Sequence, residues 1–175
     1  FNLVPALSAR ENIFLGEEPS LFGFAPAASE RARTAELFQR IGAHVDPEEL
    51  CQNLTVAQQQ CVEIAKALAH DSKIIVMDEP SAALTPSEVS KLFEIIRGLK
   101  SRGIGVIYIS HRLDEIFEIA DRIMVMRDGA NAGTCLAGEI DRAGLIERMV
   151  GRKLDQEFPA RKREIGRERL VVRNL

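Results

Sequence analysis

The pattern that most restricts this chain is a pair of short apolar runs, KIIVM at residues 73–77 and GVIYIS at residues 105–110. Each is too short for a buried helix and is bounded by turn signals, so each reads as a strand. The residues between them are helical. Thr85 supplies a cap, Pro86 a first-turn proline and Glu88 the third-position acid. Val89, Leu92, Phe93, Ile96 and Leu99 recur at helical spacing, and Gly103 closes the helix. Two strands joined through a helix run parallel, because a parallel pair needs a crossover of about this length. Runs without polar alternation predict a sheet covered by helices on both faces. A second helix, marked by Leu113, Ile116, Phe117 and Ala120, leads to a third strand at 122–127. Asp128-Gly129 is a hairpin turn, and residues 131–136 are the return strand. A last helix at 141–150 stops at Gly151. The fold class is therefore α/β, with a mostly parallel sheet and flanking helices.

What precedes the first apolar run is helical. Ser8 and Glu11 form a capping box that opens a short helix through Leu15. Residues 21–28, rich in Gly, Pro and Phe, read as a loop. A second amphipathic helix over 29–41 places Leu37, Phe38 and Ile41 on its apolar side and ends at Gly42. Asp46-Pro47 predicts a brief helix to about Leu50. From Leu54 a third helix begins with the capping box Thr55–Gln58, with Cys61, Ile64, Ala65 and Leu68 on one face. The division expected is a helical subdomain at 1–71, an α/β part at 72–151, an exposed charged linker at 152–169, and the opening strand of something new at 170–175.

Chemistry concentrates at residues 54–80 and at the end of the second strand. The first strand ends in two adjacent carboxylates, Asp78 and Glu79, and His111 follows the second. In a parallel sheet ligands gather at the carboxyl ends of the strands, so these three polar groups share one rim. The N-terminus of the third helix, with its unpaired N–H groups, suits an anion. Each feature also has a plainer reading: a solvated Asp-Glu turn, a surface histidine, a cap worth about 1 kcal/mol.

The net charge of −3 gives no reason to expect nucleic acid as a partner. Cys51, Cys61 and Cys135 are an odd set without C-x-x-C spacing, which predicts reduced, packed thiols.

Taken together, these residues resemble the ATP-binding cassette ATPases, and within them the tandem-cassette subunits of bacterial sugar importers. LTVAQ (54–58) is similar to the family signature, IIVMDEP (74–80) to its Walker B strand, SAALT (81–85) to its D-loop and SHR (110–112) to its switch histidine. Residues 1–16 are similar to the segment after the family's glutamine loop. Gln58-Gln59-Gln60 and the Thr of SAALT resemble the sugar-importer branch. The resemblance covers nearly the whole chain, and four motifs in this order are specific where one alone is weak.

The resemblance implies a P-loop-type cassette in which Glu79 is the general base and His111 orients water or the terminal phosphate. Asp78 would serve Mg²⁺. Thr55, Val56, Ala57 and Gln58 would face ATP held by a second cassette, and Ser81 and Ala82 would lie on a loop crossing the cassette pair. It implies membrane permease subunits as partners, a periplasmic sugar-binding protein indirectly, and a peripheral place on the cytoplasmic face of the membrane. The family pattern is also incomplete. No G-x-x-x-x-G-K-[ST] loop, which holds phosphates through its backbone N–H groups and Lys, occurs in the sequence. Val56 and Ala57 stand where many members carry glycines. The expectation is thus a truncated cassette, inactive by itself and prone to self-association, with the start of a second cassette at 170–175. Two rivals are a soluble cassette ATPase of translation or DNA repair and a non-catalytic association module.

Overall fold

The structure is a computed structural model and describes residues 2–16 and 27–152. The expected linker and final strand, and most of the 21–28 loop, lie outside the described residues. The fold separates into two compact units, Phe1–Ala120 and Asp121–Leu175.

The first unit opens with helix α1 (Ala9–Phe14). Its cap is reciprocal: Ser8 Oγ accepts the Glu11 N–H at 3.2 Å, and Glu11 Oε2 accepts the Ser8 N–H at 2.8 Å. Fully buried Asn12 anchors the preceding segment. Its Oδ1 accepts from Val4 N–H, and its amide donates to the carbonyls of Val4, Leu7 and Ser8 and to Cys51 Sγ. Arg10 reaches Glu30 at 2.8 Å and Glu48 at 2.9 Å, tying α1 to helix α2 (Ala27–Ile41).

Residues 46–50 do not form the expected helix. They form turns, because their carbonyls are engaged elsewhere: Pro47 O accepts Arg10 N–H and Glu49 O accepts Ala9 N–H, both at 2.9 Å. A 3-10 turn at Cys51–Asn53 leads into helix α3 (Val56–Ala69). Ile64, Ala65 and Leu68 are buried as expected, but Val62 and Gln60 are more deeply placed than Cys61, which is half-buried.

Strand β1 (Ile74–Asp78), helix α4 (Pro86–Ser101) and strand β2 (Gly105–Ile109) form the parallel β-α-β unit. The buried stripe of α4 is Leu92, Phe93, Ile96 and Leu99, and the Phe93 ring meets Tyr108 of β2 edge-on at 6.1 Å. Together with Ile75 and Met77 these residues join the helical segments in one core. Among the described residues one face of the sheet is covered, where the sequence predicts cover on both. Ile75 and Met77 point inward, whereas Ile74 is 64% exposed, Val76 60%, Ile107 52% and Ile109 45%. Helix α5 (Leu113–Ile119) follows.

The second unit holds strands β3 (Arg122–Arg127) and β4 (Ala130–Leu136), paired antiparallel, and helix α6 (Arg142–Val150). Asp128 and Gly129 both take positive φ, the geometry of a tight hairpin turn. β3 and β4 form a two-stranded sheet of their own. Asp141 Oδ1 caps α6 through the Gly144 N–H at 2.8 Å. Gly151, at φ +80°, ends it in the left-handed conformation that favours glycine. Helix α6 packs on β3, and Leu145, Ile123 and Val125 are buried.

Candidate functional site

β1 does not end in a free turn. Glu79, the residue after it, takes φ +46°, a left-handed conformation that costs a non-glycine residue about 1–3 kcal/mol. Its N–H still donates to Ile109 O at 2.9 Å, extending the β1–β2 ladder by one residue. The backbone is thereby pinned while the side chain is thrown across the strand ends. His111 lies two residues past β2, and its Nδ1 is 2.8 Å from Glu79 Oε1. An ionised carboxylate only accepts, so against it the ring carries a proton on Nδ1. A neutral ring then offers Nε2 as an acceptor, and the side chain is 76% exposed. Glu79 Oε2 is buried and has no hydrogen-bond partner among the described residues. A buried acceptor without a donor is costly, and a bound water or substrate proton would satisfy it.

Asp78 sits beside this pair, exposed, opposite Ile109 in the strand register. The structure therefore brings Asp78, Glu79 and His111 to one rim, as the strand ends predict.

The chain after Glu79 turns twice, with Ala82 N–H on Glu79 O and Leu84 N–H on Ser81 O, both at 3.1 Å. Ala82 is exposed. Ser81 is fully buried, and its Oγ donates to Glu115 Oε2 at 2.6 Å. The same oxygen accepts from Tyr108 OH at 2.7 Å and Ser110 Oγ at 3.3 Å. Arg112 Nη1 lies 2.7 Å from Glu115 Oε1, an ion-pair contact without the alignment of a hydrogen bond. Glu115 is 5% exposed. The Arg112 side chain is 48% exposed, so solvent screens this contact and it contributes far less than a pair buried on both sides. Ser110 lies in the SHR motif, whereas Glu115 and Tyr108 belong to none of the motifs legible in the sequence. The available signal was Arg112-x-x-Glu115 in the first turn of a helix directly after the candidate histidine. Burial raises the Tyr108 phenol above its ordinary range, reinforced by the bond to Glu115, so it remains a donor.

The N-terminus of α3 is a separate place. Thr55 Oγ1 accepts the Gln58 N–H at 3.3 Å, and Gln58 Oε1 accepts the Thr55 N–H at 3.0 Å. This leaves the N–H groups of half-buried Val56 and Ala57 without intrahelical acceptors. Thr55, Ala57 and Gln58 line a cavity of about 720 Å³ with Leu84, Glu88 and Lys91. Asp78, Glu79 and His111 do not line it.

A family model described as "ABC transporter" matches residues 1–82. A ribose import ATP-binding protein of Rubrobacter xylanophilus is 51% identical over 175 residues, covering 100% of this chain and 35% of the relative. A putative ribose/galactose/methyl galactoside import ATP-binding protein of Rhizobium meliloti is 47% identical, covering 99% of this chain and 34% of its own length. The chain thus spans about a third of these curated relatives. Among solved structures, a dimeric ATP-binding cassette in a post-hydrolysis state bound to ADP and Pi superposes with a TM-score of 0.64 at 26% identity. The match covers 78% of this chain and 59% of that one. An ATP-binding cassette of an ABC transporter, 24% identical, shares the fold at a TM-score of 0.73, covering 86% of this chain and 65% of that one.

Proposed function

The chain belongs to the ABC transporter ATPase family, and we propose that it supplies the water-activating part of the ATP-hydrolysing subunit of a carbohydrate importer. The observation that carries this reading is the contact of His111 Nδ1 with Glu79 Oε1 at 2.8 Å, which leaves Oε2 buried and unpartnered. That oxygen is the acceptor for a proton of the attacking water. The water oxygen bonds to the terminal phosphorus, the bond from that phosphorus to the bridging oxygen breaks, and the nucleoside diphosphate leaves with the electron pair. His111 holds the carboxylate in place through Nδ1 and keeps Nε2 for the phosphate or the water.

Among the described residues no three His, Cys, Asp or Glu converge as a metal cage. Mg²⁺ does not need one, since it takes one or two carboxylates along with phosphate oxygens and waters. Exposed Asp78 fits that donor set. When bound, the ion offsets the charge of the phosphates.

Phosphate cradling falls to another segment, because the sequence contains no G-x-x-x-x-G-K-[ST] loop. Thr55, Val56, Ala57 and Gln58 present the α3 N-terminus to ATP bound by a second cassette, and Ser81 and Ala82 lie on the loop between the two cassettes. The helical part is residues 1–71 and the catalytic part residues 72–151. The names of the relatives, ribose and ribose/galactose/methyl galactoside import ATP-binding proteins, support a sugar as cargo; permease subunits, and a sugar-binding protein upstream, are the partners proposed with it. No described helix is long and apolar enough to cross a membrane, and the subunit works at the cytoplasmic face against the permease.

Affinity purification of the intact subunit from solubilised membranes tests this assignment. Co-purification of integral-membrane permease subunits is expected. Recovery with ribosomes or DNA instead would overturn it in favour of a soluble cassette ATPase.

A further inference from the structure

Glu115 is a buried carboxylate that the hydrolytic reading does not use. Its partners are unusually placed. Ser81 stands two residues after Glu79, while Ser110 and Arg112 are the two chain neighbours of His111. Ser81 Oγ donates at 2.6 Å and Ser110 Oγ at 3.3 Å to Oε2, and Arg112 Nη1 lies 2.7 Å from Oε1. Tyr108, the chain's only tyrosine, completes the set from the body of β2 at 2.7 Å. Arg112 N–H also donates to Ser110 Oγ at 3.0 Å, closing the loop around the histidine. One carboxylate therefore grips the chain just past the base and on both sides of the imidazole that the base meets.

We infer that Glu115 is a positioning residue that sets Glu79 and His111 against each other by tying Ser81, Ser110 and Arg112 to one buried point. The inference rests on the hydrolytic reading of Glu79 and His111. Several observations argue for direction over simple packing. A hydrophobic side chain of similar size would fill the space without the desolvation cost of a buried charge. Only an acceptor can orient three hydroxyls and a guanidinium at once. Both Ser81 and Glu115 are buried, so water does not compete for the bond. His111 itself is held to the fold through its neighbours and through Glu79, because its own side chain is largely exposed. Releasing the anchor frees it, and small displacements at a reacting centre cost large factors in rate.

The test compares Glu115→Gln and Tyr108→Phe in the intact subunit. Gln keeps the shape and one acceptor but loses the charge facing Arg112, while Phe removes one donor and leaves the carboxylate. Turnover, KM for ATP, nucleotide affinity and melting temperature are measured for each, with Glu79→Gln alongside. The expected result is a kcat lower by about 10- to 100-fold in Glu115→Gln. KM and affinity stay within about twofold of wild type, and the melting temperature is retained. Tyr108→Phe gives a smaller loss of kcat in the same sense. Adding Glu115→Gln to Glu79→Gln gives no further loss, because the anchor acts through the base. Unchanged kcat in a folded Glu115→Gln, or a loss of kcat matched by loss of folded protein in both variants, overturns the inference. If Glu79→Gln turns over normally, the hydrolytic reading itself fails. If Glu79→Gln is inactive and Glu115→Gln is not, only the positioning role falls.

Discussion

The Nδ1 of His111 lies 2.8 Å from Oε1 of Glu79, although 32 residues and a whole helix separate them in the chain. The contact exists because β1 and β2 run parallel and in register, so that both strands deliver their ends to one rim. If the imidazole orients the base and contacts phosphate or water, His111→Ala in the intact subunit lowers kcat by about 10²–10⁴-fold. ATP affinity then changes little. Phosphate release and nucleotide binding, measured side by side, check this.

The α1 cap depends on an ionised Glu11. Its carboxyl is held below the usual carboxylate range, chiefly by the Ser8 backbone N–H and then by the Ser8 hydroxyl. A depressed folded value means the cap contributes fully above the unfolded value of about 4.3. The contribution is lost as pH falls through the folded value. Ser8→Ala is expected to cost about 1 kcal/mol at pH 7. In denaturant titrations the difference from wild type narrows as pH falls through the depressed folded value, where Glu11 becomes protonated in the native state.

Cysteine reactivity follows burial. Desolvation pushes the Cys61 thiol up to about 11, and Cys51 is also raised by burial despite its bond from Asn12. At pH 8 a thiol with a pKa near 11 is thiolate in about one molecule per thousand. Iodoacetamide labelling of the native chain followed by peptide mass spectrometry is expected to mark Cys135 first, with Cys51 and Cys61 modified only after unfolding.

The bare sheet face carries its own prediction. Ile74, Val76, Ile107 and Ile109 form a contiguous apolar strip on paired strands, each exposed by 45% or more. Burying such a side chain is worth about 1.5–3 kcal/mol, so the 175-residue chain is expected to associate through this face. Val76→Lys together with Ile107→Lys shifts it toward monomer in light scattering. A wild-type chain that stays monomeric at high concentration contradicts the prediction.

That strip also marks the limit of what the sequence discloses. Ser8–Glu11, Thr55–Gln58, Thr85–Glu88 and Asp128-Gly129 are local patterns whose partners lie within four residues, and the structure forms each of them. In KIIVM, by contrast, apolar side chains occupy both faces, so the sequence cannot say which face packs. Asp46-Pro47 carries a helix-start pattern, yet the carbonyls that would propagate a helix accept from Ala9 and Arg10. Glu115 looks like an ordinary first-turn acid of an exposed helix. Its burial follows from Ser81, 34 residues upstream, and from the parallel register that brings Tyr108 alongside. The rim of Asp78, Glu79 and His111 was legible because strand order alone places it. The anchor beneath that rim was not, because side-chain packing creates it.

The central claim is that Glu79 accepts the proton of the attacking water, and its most direct test is steady-state ATP hydrolysis by the intact subunit with Glu79→Gln. The substitution keeps the size and the contact to His111 and removes the base. The account predicts a fall in kcat of at least about 100-fold with ATP binding retained. Turnover within a few-fold of wild type would contradict it.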